Sequence, residues 1–251
     1  MNTMRRVLIF GATSAIAHAT ARLLVQQGCS VYAVGRNPLK LGAVLDDLRV
    51  RAASDAVVDG TRADLDNVEE HPELFELAAT NMGSIDVVFI AHGTLPDQAS
   101  CEASAAATLT ELHTNALSPI AIATLAANHF QAKSAGMIVA ISSVAGDRGR
   151  QSNYVYGSAK GAFGLFLQGL RNRLARHNVH VLTIKPGFVD TPMTAGFDKK
   201  GLLWATPEQV AHRIVSAMKR RRDVVYTPWF WRWIMLIIRS IPERLFKHMK
   251  L

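Results

Sequence analysis

Cysteine is scarce, with only Cys29 and Cys101 in 251 residues. Neither lies in a Cys-x-x-Cys pair or a Cys/His cluster, so no disulfide framework and no metal site are read, and a reducing compartment fits. Long apolar runs are lacking near the start as well. Arg5 and Arg6 lead into Val7-Leu8-Ile9-Phe10, and Gly11 ends the run after four residues. That is too short for the apolar region of a signal peptide, so a cytoplasmic location is expected. Acidic charge is in deficit, 20 Asp and Glu against 28 Lys and Arg, for a net charge of +8. A basic balance admits nucleic acid, anionic lipid or a phosphorylated substrate. The densest basic run, Lys219-Arg220-Arg221-Arg222, reads as a solvated helix end, and with no zinc-finger, KH or RRM signature no nucleic-acid partner is expected. Low-complexity linkers and repeats are absent, and a chain 49% hydrophobic and 19% charged is not a disordered one.

What is present is alternation. Short apolar segments at Arg6–Phe10, Ser30–Val34, Ala56–Asp59, Ile85–Ala91, Met137–Ser142, Val179–Ile184 and Val224–Tyr226 read as strands. Helical patterns lie between them, at about Ala15–Gln27, Pro38–Ala52, Asp66–Met82, Ser104–Ala132, Tyr154–His177 and Thr206–Lys219. Runs such as Ile85-Asp86-Val87-Val88-Phe89-Ile90 are nearly continuous in apolar character, which suits strands covered on both faces. The expected fold is an α/β, Rossmann-type, doubly wound parallel sheet of about seven strands. Residues 1–227 form one domain in this reading, and residues 228–251 a separate apolar and basic tail.

The first strand runs into Gly11-Ala12-Thr13-Ser14-Ala15-Ile16-Ala17 and then a helix. A glycine there permits a tight turn, and small residues bring free helix N–H groups toward a pyrophosphate. Gly11, Thr13, Ser14, Ala15 and Ile16 are therefore candidate cofactor residues. Ala15, where a glycine is usual, raises the cost of any positive φ at that point. A site for NAD would put a carboxylate at the end of the second strand, but Gly35-Arg36 stands there. Arg36 attracts a 2′-phosphate and stacks on adenine, so NADP(H) is the expected cofactor. Ser14 is a second donor to that phosphate. Asp64 can accept from the adenine amino group with Leu65 adding a backbone contact, or Asp64 caps the next helix. Ala91, His92 and Gly93 follow the fourth strand, where Gly93 admits a ribose and His92 is assigned only a place near the cofactor.

Tyr156 and Lys160 are four residues apart in a helical stretch, so both side chains reach one pocket. An ammonium beside a phenol, with an oxidised nicotinamide, favours phenolate and is expected to lower the phenol's pKa from near ~10. Lys160 can also hold the nicotinamide ribose. Ser143, thirteen positions before Tyr156, offers a hydroxyl to a substrate oxygen. Asn115 is a polar residue in a long apolar helix and needs a partner, which a water shared with Lys160 would supply.

In this order and spacing, the glycine turn, Asp64, Asn115, Ser143, Tyr156-Gly157-Ser158-Ala159-Lys160 and Lys185-Pro186-Gly187-Phe188-Val189-Asp190-Thr191 resemble the short-chain dehydrogenase/reductase family over essentially the whole chain. The resemblance implies an Asn115-Ser143-Tyr156-Lys160 tetrad, gives the serine role to Ser143 over Ser142, and sets Pro186, Gly187, Val189 and Thr191 against the nicotinamide. It also implies a homo-oligomer, a dimer or tetramer. Ala15 and Ala17 in place of glycines, and Ala91-His92-Gly93 in place of Asn-Ala-Gly, are departures from the family pattern. The expected chemistry is hydride transfer between NADP(H) and a ketone or secondary alcohol. A non-catalytic NADP-binding regulator or scaffold on the same fold is the rival reading.

The segment Thr191–Ala205, with Gly196, Gly201 and two lysines, suits a lid over the substrate. The tail from Pro228 to Pro242 brackets about fourteen residues, roughly 21 Å as a helix at ~1.5 Å per residue, short of a ~30 Å hydrocarbon core. Three tryptophans, with Arg232 and Arg239 on one narrow stripe, suit a helix lying at a membrane surface. Packing over the substrate cleft or against another subunit is the competing reading. Ser152-Asn153-Tyr154-Val155-Tyr156-Gly157-Ser158 and the tail with Ile241-Pro242 are also similar to a group of reductases acting on polyprenyl-phosphoryl 2-keto-pentofuranose (decaprenylphosphoryl-2-keto-erythro-pentose). That similarity implies a lipid-linked keto-sugar substrate at the inner membrane face; a soluble ketone or alcohol is the alternative.

Overall fold

The computed structural model describes residues 5–198 and 201–249. The two lysines of the expected lid, Lys199 and Lys200, and Lys250 of the tail lie outside the described residues. The N-terminal half alternates β1 (Arg6–Phe10), α1 (Ala15–Val25), β2 (Ser30–Gly35), α2 (Pro38–Arg51), β3 (Val58–Arg62), α3 (His71–Met82) and β4 (Val87–Ile90). The chain continues through α4 (Gln98–Ala103), α5 (Ala105–Leu112), a wide π turn at His113–Leu117, α6 (Ser118–Lys133), β5 (Gly136–Ile141) and α7 (Tyr154–Leu174). After β6 (Val179–Pro186) come β7 (Phe188–Val189), β8 (Trp204–Ala205), α8 (Pro207–Lys219), β9 (Val224–Thr227), α9 (Trp231–Ser240) and α10 (Glu243–Phe246).

Seven of these strands form one parallel sheet in the order β3-β2-β1-β4-β5-β6-β9. Alternate residues of each strand enter opposite cores. Val7 and Ile9 pack with α1, α2 and α8 on one face, while Leu8 and Phe10 pack with α3, α6 and α7 on the other. Double coverage is why the strands carry apolar residues without alternation. The doubly wound Rossmann-type fold is thus the one the alternation predicted. The order reverses between β1 and β4, and the crevice beyond their C-terminal ends is where such sheets bind ligands.

Three boundaries differ from expectation for local reasons. The segment expected as one helix from Ser104 to Ala132 is divided by the π turn. Pro119 in the first turn of α6 has no N–H to donate backward, which breaks the regular ladder there. The helix expected from Asp66 starts at His71, after a short 3-10 turn at Val68–Glu70, with Pro72 in its first turn. The third strand is shifted, because Val31 pairs with Val58 and Gly35 with Arg62. The basic run does lie at and just beyond the carbonyl end of α8.

The tail helix is ten residues, not fourteen. Pro228 to Phe230 form a turn before it, in which the Trp231 N–H donates to the Pro228 carbonyl at 3.2 Å. Trp231 and Met235 are buried against Val144, flanked by Phe188, Tyr226 and Phe230. Among the described residues, no helix is long and apolar enough to cross a membrane.

Candidate active site

The crevice at the β1/β4 reversal holds the expected nucleotide residues. Gly11 has φ +82, and a Cβ there would lie 2.5 Å from the His92 backbone nitrogen, so a side chain is excluded by both strain and space. Ala15 is the first residue of α1 and is not among the positive-φ residues, so the alanine in the turn carries no strain. Ser14 occupies the N-cap of α1, its side chain makes no capping bond, and the first turn holds no acidic residue. Its hydroxyl and the first free amides are therefore available to an anion, which is what a pyrophosphate requires. Thr13 packs on Gly35, where a Cβ would meet its methyl at 3.0 Å, and Ile16 is buried.

Arg36 stands at the end of β2, 65% exposed, with only a long 3.9 Å contact to Asp64. The Arg62 Nε donates to the Arg36 carbonyl at 3.3 Å, so a second guanidinium flanks the same strand end. Sequence reasoning missed Arg62, because its proximity depends on the β2–β3 register.

The Asp64–Asp66 loop is held from several sides. The Leu65 carbonyl accepts from Ser118 Oγ at 2.6 Å and contacts His71 Nε2 at 2.9 Å. Thr114 Oγ1 donates to Asp66 at 2.8 Å, and His113 Nε2 meets the Asp66 carbonyl at 2.9 Å. His92 Nε2 contacts Ser118 Oγ at 2.9 Å. Because the Ser118 proton goes to Leu65, His92 must donate from Nε2, leaving its buried Nδ1 without a protein partner. Burial, with the nearby Lys160 charge, pushes His92 down to about 3, so it stays neutral and serves as a structural link, not a general acid.

The four polar groups of the expected tetrad converge at the N-terminal end of α7. Ser143 follows β5, and its Oγ accepts from the Ala145 amide at 3.1 Å. Ser143 lies near enough to the Tyr156 phenol to pull its pKa down, against the larger effect of burial. Ser142 donates instead to the Lys160 carbonyl at 3.0 Å. Lys160 is 3% exposed, with its ammonium 5.8 Å from the Tyr156 ring centre. Gly93 is the meeting point on the other side: a Cβ there would be 2.7 Å from Asn115 Oδ1 and 3.1 Å from Lys160 Nζ. The π turn sets Asn115 into this position, fully buried.

One electrostatic expectation is corrected. The protein alone raises the phenol: burial pushes Tyr156 up to about 12, and Ser143 only partly opposes it. Burial also pulls Lys160 down to about 8. Desolvation dominates the phenol's shift, with the Lys160 ammonium 5.8 Å from the ring centre.

Sequence reasoning also missed what lies behind Asn115. Its Nδ2 donates to Thr94 Oγ1 at 2.9 Å and Glu111 Oε2 at 3.0 Å, while its Oδ1 accepts from the Thr94 amide at 3.0 Å. Thr94 Oγ1 in turn donates to Glu111 at 2.5 Å. The i, i+4 spacing of Glu111 and Asn115 was the available signal. Farther along, β6 ends at Pro186, and Gly187 faces Trp231, where a Cβ would come within 1.9 Å of the indole. Val189 is buried in β7, and the Thr191 amide donates to Thr194 Oγ1 at 3.2 Å at the start of the expected lid.

Arg148 joins this region to the tail. Its guanidinium donates to the carbonyls of Ile238, Arg239 and Ile241 at 2.7, 3.1 and 2.6 Å, and to Glu243 at 2.9 Å. It also lies 3.7 Å over the Phe246 ring. The loop between Ser143 and Tyr156 is thus fastened to the end of α9.

Comparison with known proteins agrees with this geometry. The family model described as short chain dehydrogenase matches residues 5–201. An uncharacterized oxidoreductase of Mycobacterium tuberculosis H37Rv is 34% identical over 244 residues, covering 97% of this chain and 96% of that protein. An uncharacterized oxidoreductase of Streptomyces coelicolor is 31% identical over 246 residues, covering 98% and 96%. A short-chain type dehydrogenase/reductase from Mycobacterium ulcerans superposes with a TM-score of 0.79 at 21% identity, covering 98% of each chain, which shows the shared fold. The chain belongs to the short-chain dehydrogenase family, whose members are oxidoreductases that use nicotinamide cofactors.

Proposed function

We propose that this oxidoreductase uses NADP(H) and reduces a ketone on a polyprenyl-phosphoryl-linked pentose. The observation that carries the chemistry is the convergence of Ser143, Tyr156, Lys160 and Asn115 around Gly93. The crevice fits a dinucleotide: it has a positive-φ glycine, an uncapped Ser14 hydroxyl and an α1 N-terminus free of acid. When bound there, the nicotinamide supplies the hydride.

The chain's own groups do the rest. Ser143 and Tyr156 hold the carbonyl oxygen by two hydrogen bonds, and Tyr156 gives it the phenolic proton as negative charge develops. A phenol held near 12 by burial is protonated before reaction, which suits a proton donor. Lys160, near 8, keeps its ammonium at neutral pH and stabilises the phenolate that remains. Asn115 Oδ1 and Lys160 Nζ both approach Gly93, and a water shared between them would link the two. Thr94 and the partly exposed Glu111 extend that route toward solvent.

For the cofactor, Arg36 and Arg62 bring two guanidinium groups to the β2 end, with Asp64 3.9 Å from Arg36. For the substrate, Arg150 Nε and Asn153 Oδ1 are buried without a protein partner. Asn153 is the N-cap of α7 yet makes no capping bond, and Tyr156 follows one turn later. A buried guanidinium nitrogen and a buried amide oxygen, both unpartnered in the segment that leads into α7, suit an anionic, hydroxylated ketone.

The test is oxidation of NADPH and NADH with a farnesyl-phosphoryl 2-keto-pentofuranose and with the same keto-sugar lacking the lipid phosphate. The reading expects faster turnover with NADPH and with the phosphoryl-linked ketone, and Arg36→Asp reverses the cofactor preference. Equal rates on the unphosphorylated ketone would move the substrate to the soluble class. No oxidation with any ketone would favour a regulator or scaffold.

A further inference from the structure

The tail helix α9 carries two apolar faces. Trp231, Ile234, Met235 and Ile238 repeat at i, i+3, i+4 and i+7 and face the protein. Trp233, Leu236 and Ile237 repeat on the opposite side and are 55%, 53% and 67% exposed. Trp229, just before the helix, is 63% exposed. A helix packed on a soluble protein ordinarily turns a polar face outward, so this outward face lacks the surroundings its composition requires.

Between the two faces runs a basic stripe. Arg232 and Arg239, seven residues apart, line a cavity of about 410 Å³ together with Val224, Tyr226, Trp233 and Leu236. Both guanidinium groups share this opening with Tyr226. Neither is in a salt bridge among the described residues. Asp147, which accepts from the Tyr226 hydroxyl, is also engaged by Lys185. The opening therefore combines unneutralised positive charge with a partly apolar wall.

We infer that α9 seats the protein on an anionic phospholipid surface, with Trp229, Trp233, Leu236 and Ile237 entering the acyl boundary and a headgroup phosphate held between Arg232 and Arg239. Charge complementarity selects this occupant over a second copy of the chain. A copy carrying the same +8 charge would bring the same unneutralised arginines to the interface. A bilayer supplies both the apolar layer and the phosphate at the depths the two stripes need. Arg148 transmits the seating, because it ties the end of α9 to the loop that precedes Tyr156.

The test is co-sedimentation of the full chain with vesicles of phosphatidylglycerol and phosphatidylcholine mixed, and of phosphatidylcholine alone. The mixed vesicles bind the protein and the zwitterionic ones bind it weakly. At about 1 kcal/mol per basic side chain near an anionic surface, Arg232→Gln with Arg239→Gln lowers partitioning roughly 25-fold. Trp233→Ser with Ile237→Ser lowers it on both vesicle types. Far-ultraviolet circular dichroism and NADPH affinity verify that each variant is folded, and neither readout depends on the proposed ketone chemistry. Failure of the wild-type chain to bind mixed vesicles overturns the inference. So does concentration-dependent self-association in sedimentation velocity that Trp233→Ser with Ile237→Ser abolishes, since a second copy then covers the face. Equal binding to both vesicle types overturns the headgroup pocket, as does saturation by inorganic phosphate without vesicle binding.

Discussion

The nucleotide side and the substrate side of this molecule are built by different means. On the nucleotide side, Gly11, Ser14 and the Asp64–Asp66 loop act through backbone groups and short side chains, held by neutral contacts such as His92 to Ser118. On the substrate side, long cationic side chains span the chain, with Arg148 reaching carbonyls 90 to 93 residues away. The first arrangement is rigid and generic, as a cofactor shared by a whole family allows. The second leaves Arg150, Arg232 and Arg239 without ion pairs among the described residues, as selection of a particular anionic ligand would require. Lys160 belongs to both sides and is where the comparison can be broken most sharply.

Lys160→Met gives the largest effect. A fall from 10.5 to about 8 on burial corresponds to about 3 kcal/mol by which the charged side chain destabilises the fold at neutral pH. The unfolded chain keeps this proton up to pH 10.5 while the folded one releases it near 8, so the penalty is full below 8 and fades between 8 and 10.5. The variant therefore loses turnover yet melts higher at pH 7, and its thermal advantage shrinks as pH rises through that window. A melting temperature unchanged at pH 7 would show that the lysine is better satisfied than its burial implies.

Arg148→Ala tests the substrate side by itself. Losing its charged hydrogen bonds to α9 and Glu243 costs the tail about 2–4 kcal/mol of docking. Hydrogen exchange at Ile238–Phe246 rises and KM for the ketone increases, while NADPH affinity holds. Protection that stays native in the tail would mean that Trp231 and Met235 suffice to dock it.

A smaller effect is expected at Glu111→Gln, which keeps the bond to Thr94 but removes the charge at the solvent end of the relay. Turnover falls a few-fold with KM unchanged, measured by steady-state kinetics. A change in KM alone would assign Glu111 to packing.

Much of the nucleotide side was legible in the sequence because its signals are local. Gly11 ends a strand, Arg36 replaces a carboxylate, and Tyr156 and Lys160 share a helix face by spacing alone. The doubly wound sheet followed from uniformly apolar strands separated by helical patterns. The two-faced nature of α9 was partly legible, in its tryptophans and paired arginines, but not which face would be covered. Long-range placement was hidden: Arg62 beside Arg36 depends on strand register, and Arg148 beneath the tail depends on the path of ninety residues. The phenol's direction of shift was misjudged because burial of Tyr156 and Lys160 is a property of packing, which charge spacing does not reveal.

The most direct test of the central claim is Tyr156→Phe, measured by NADPH titration and by single-turnover reduction of the accepted ketone. Removing the one proton donor beside Ser143 lowers the reduction rate about 10²–10⁴-fold and leaves NADPH binding intact. A phenylalanine variant that reduces the ketone at the wild-type rate would contradict the assignment of that proton to Tyr156.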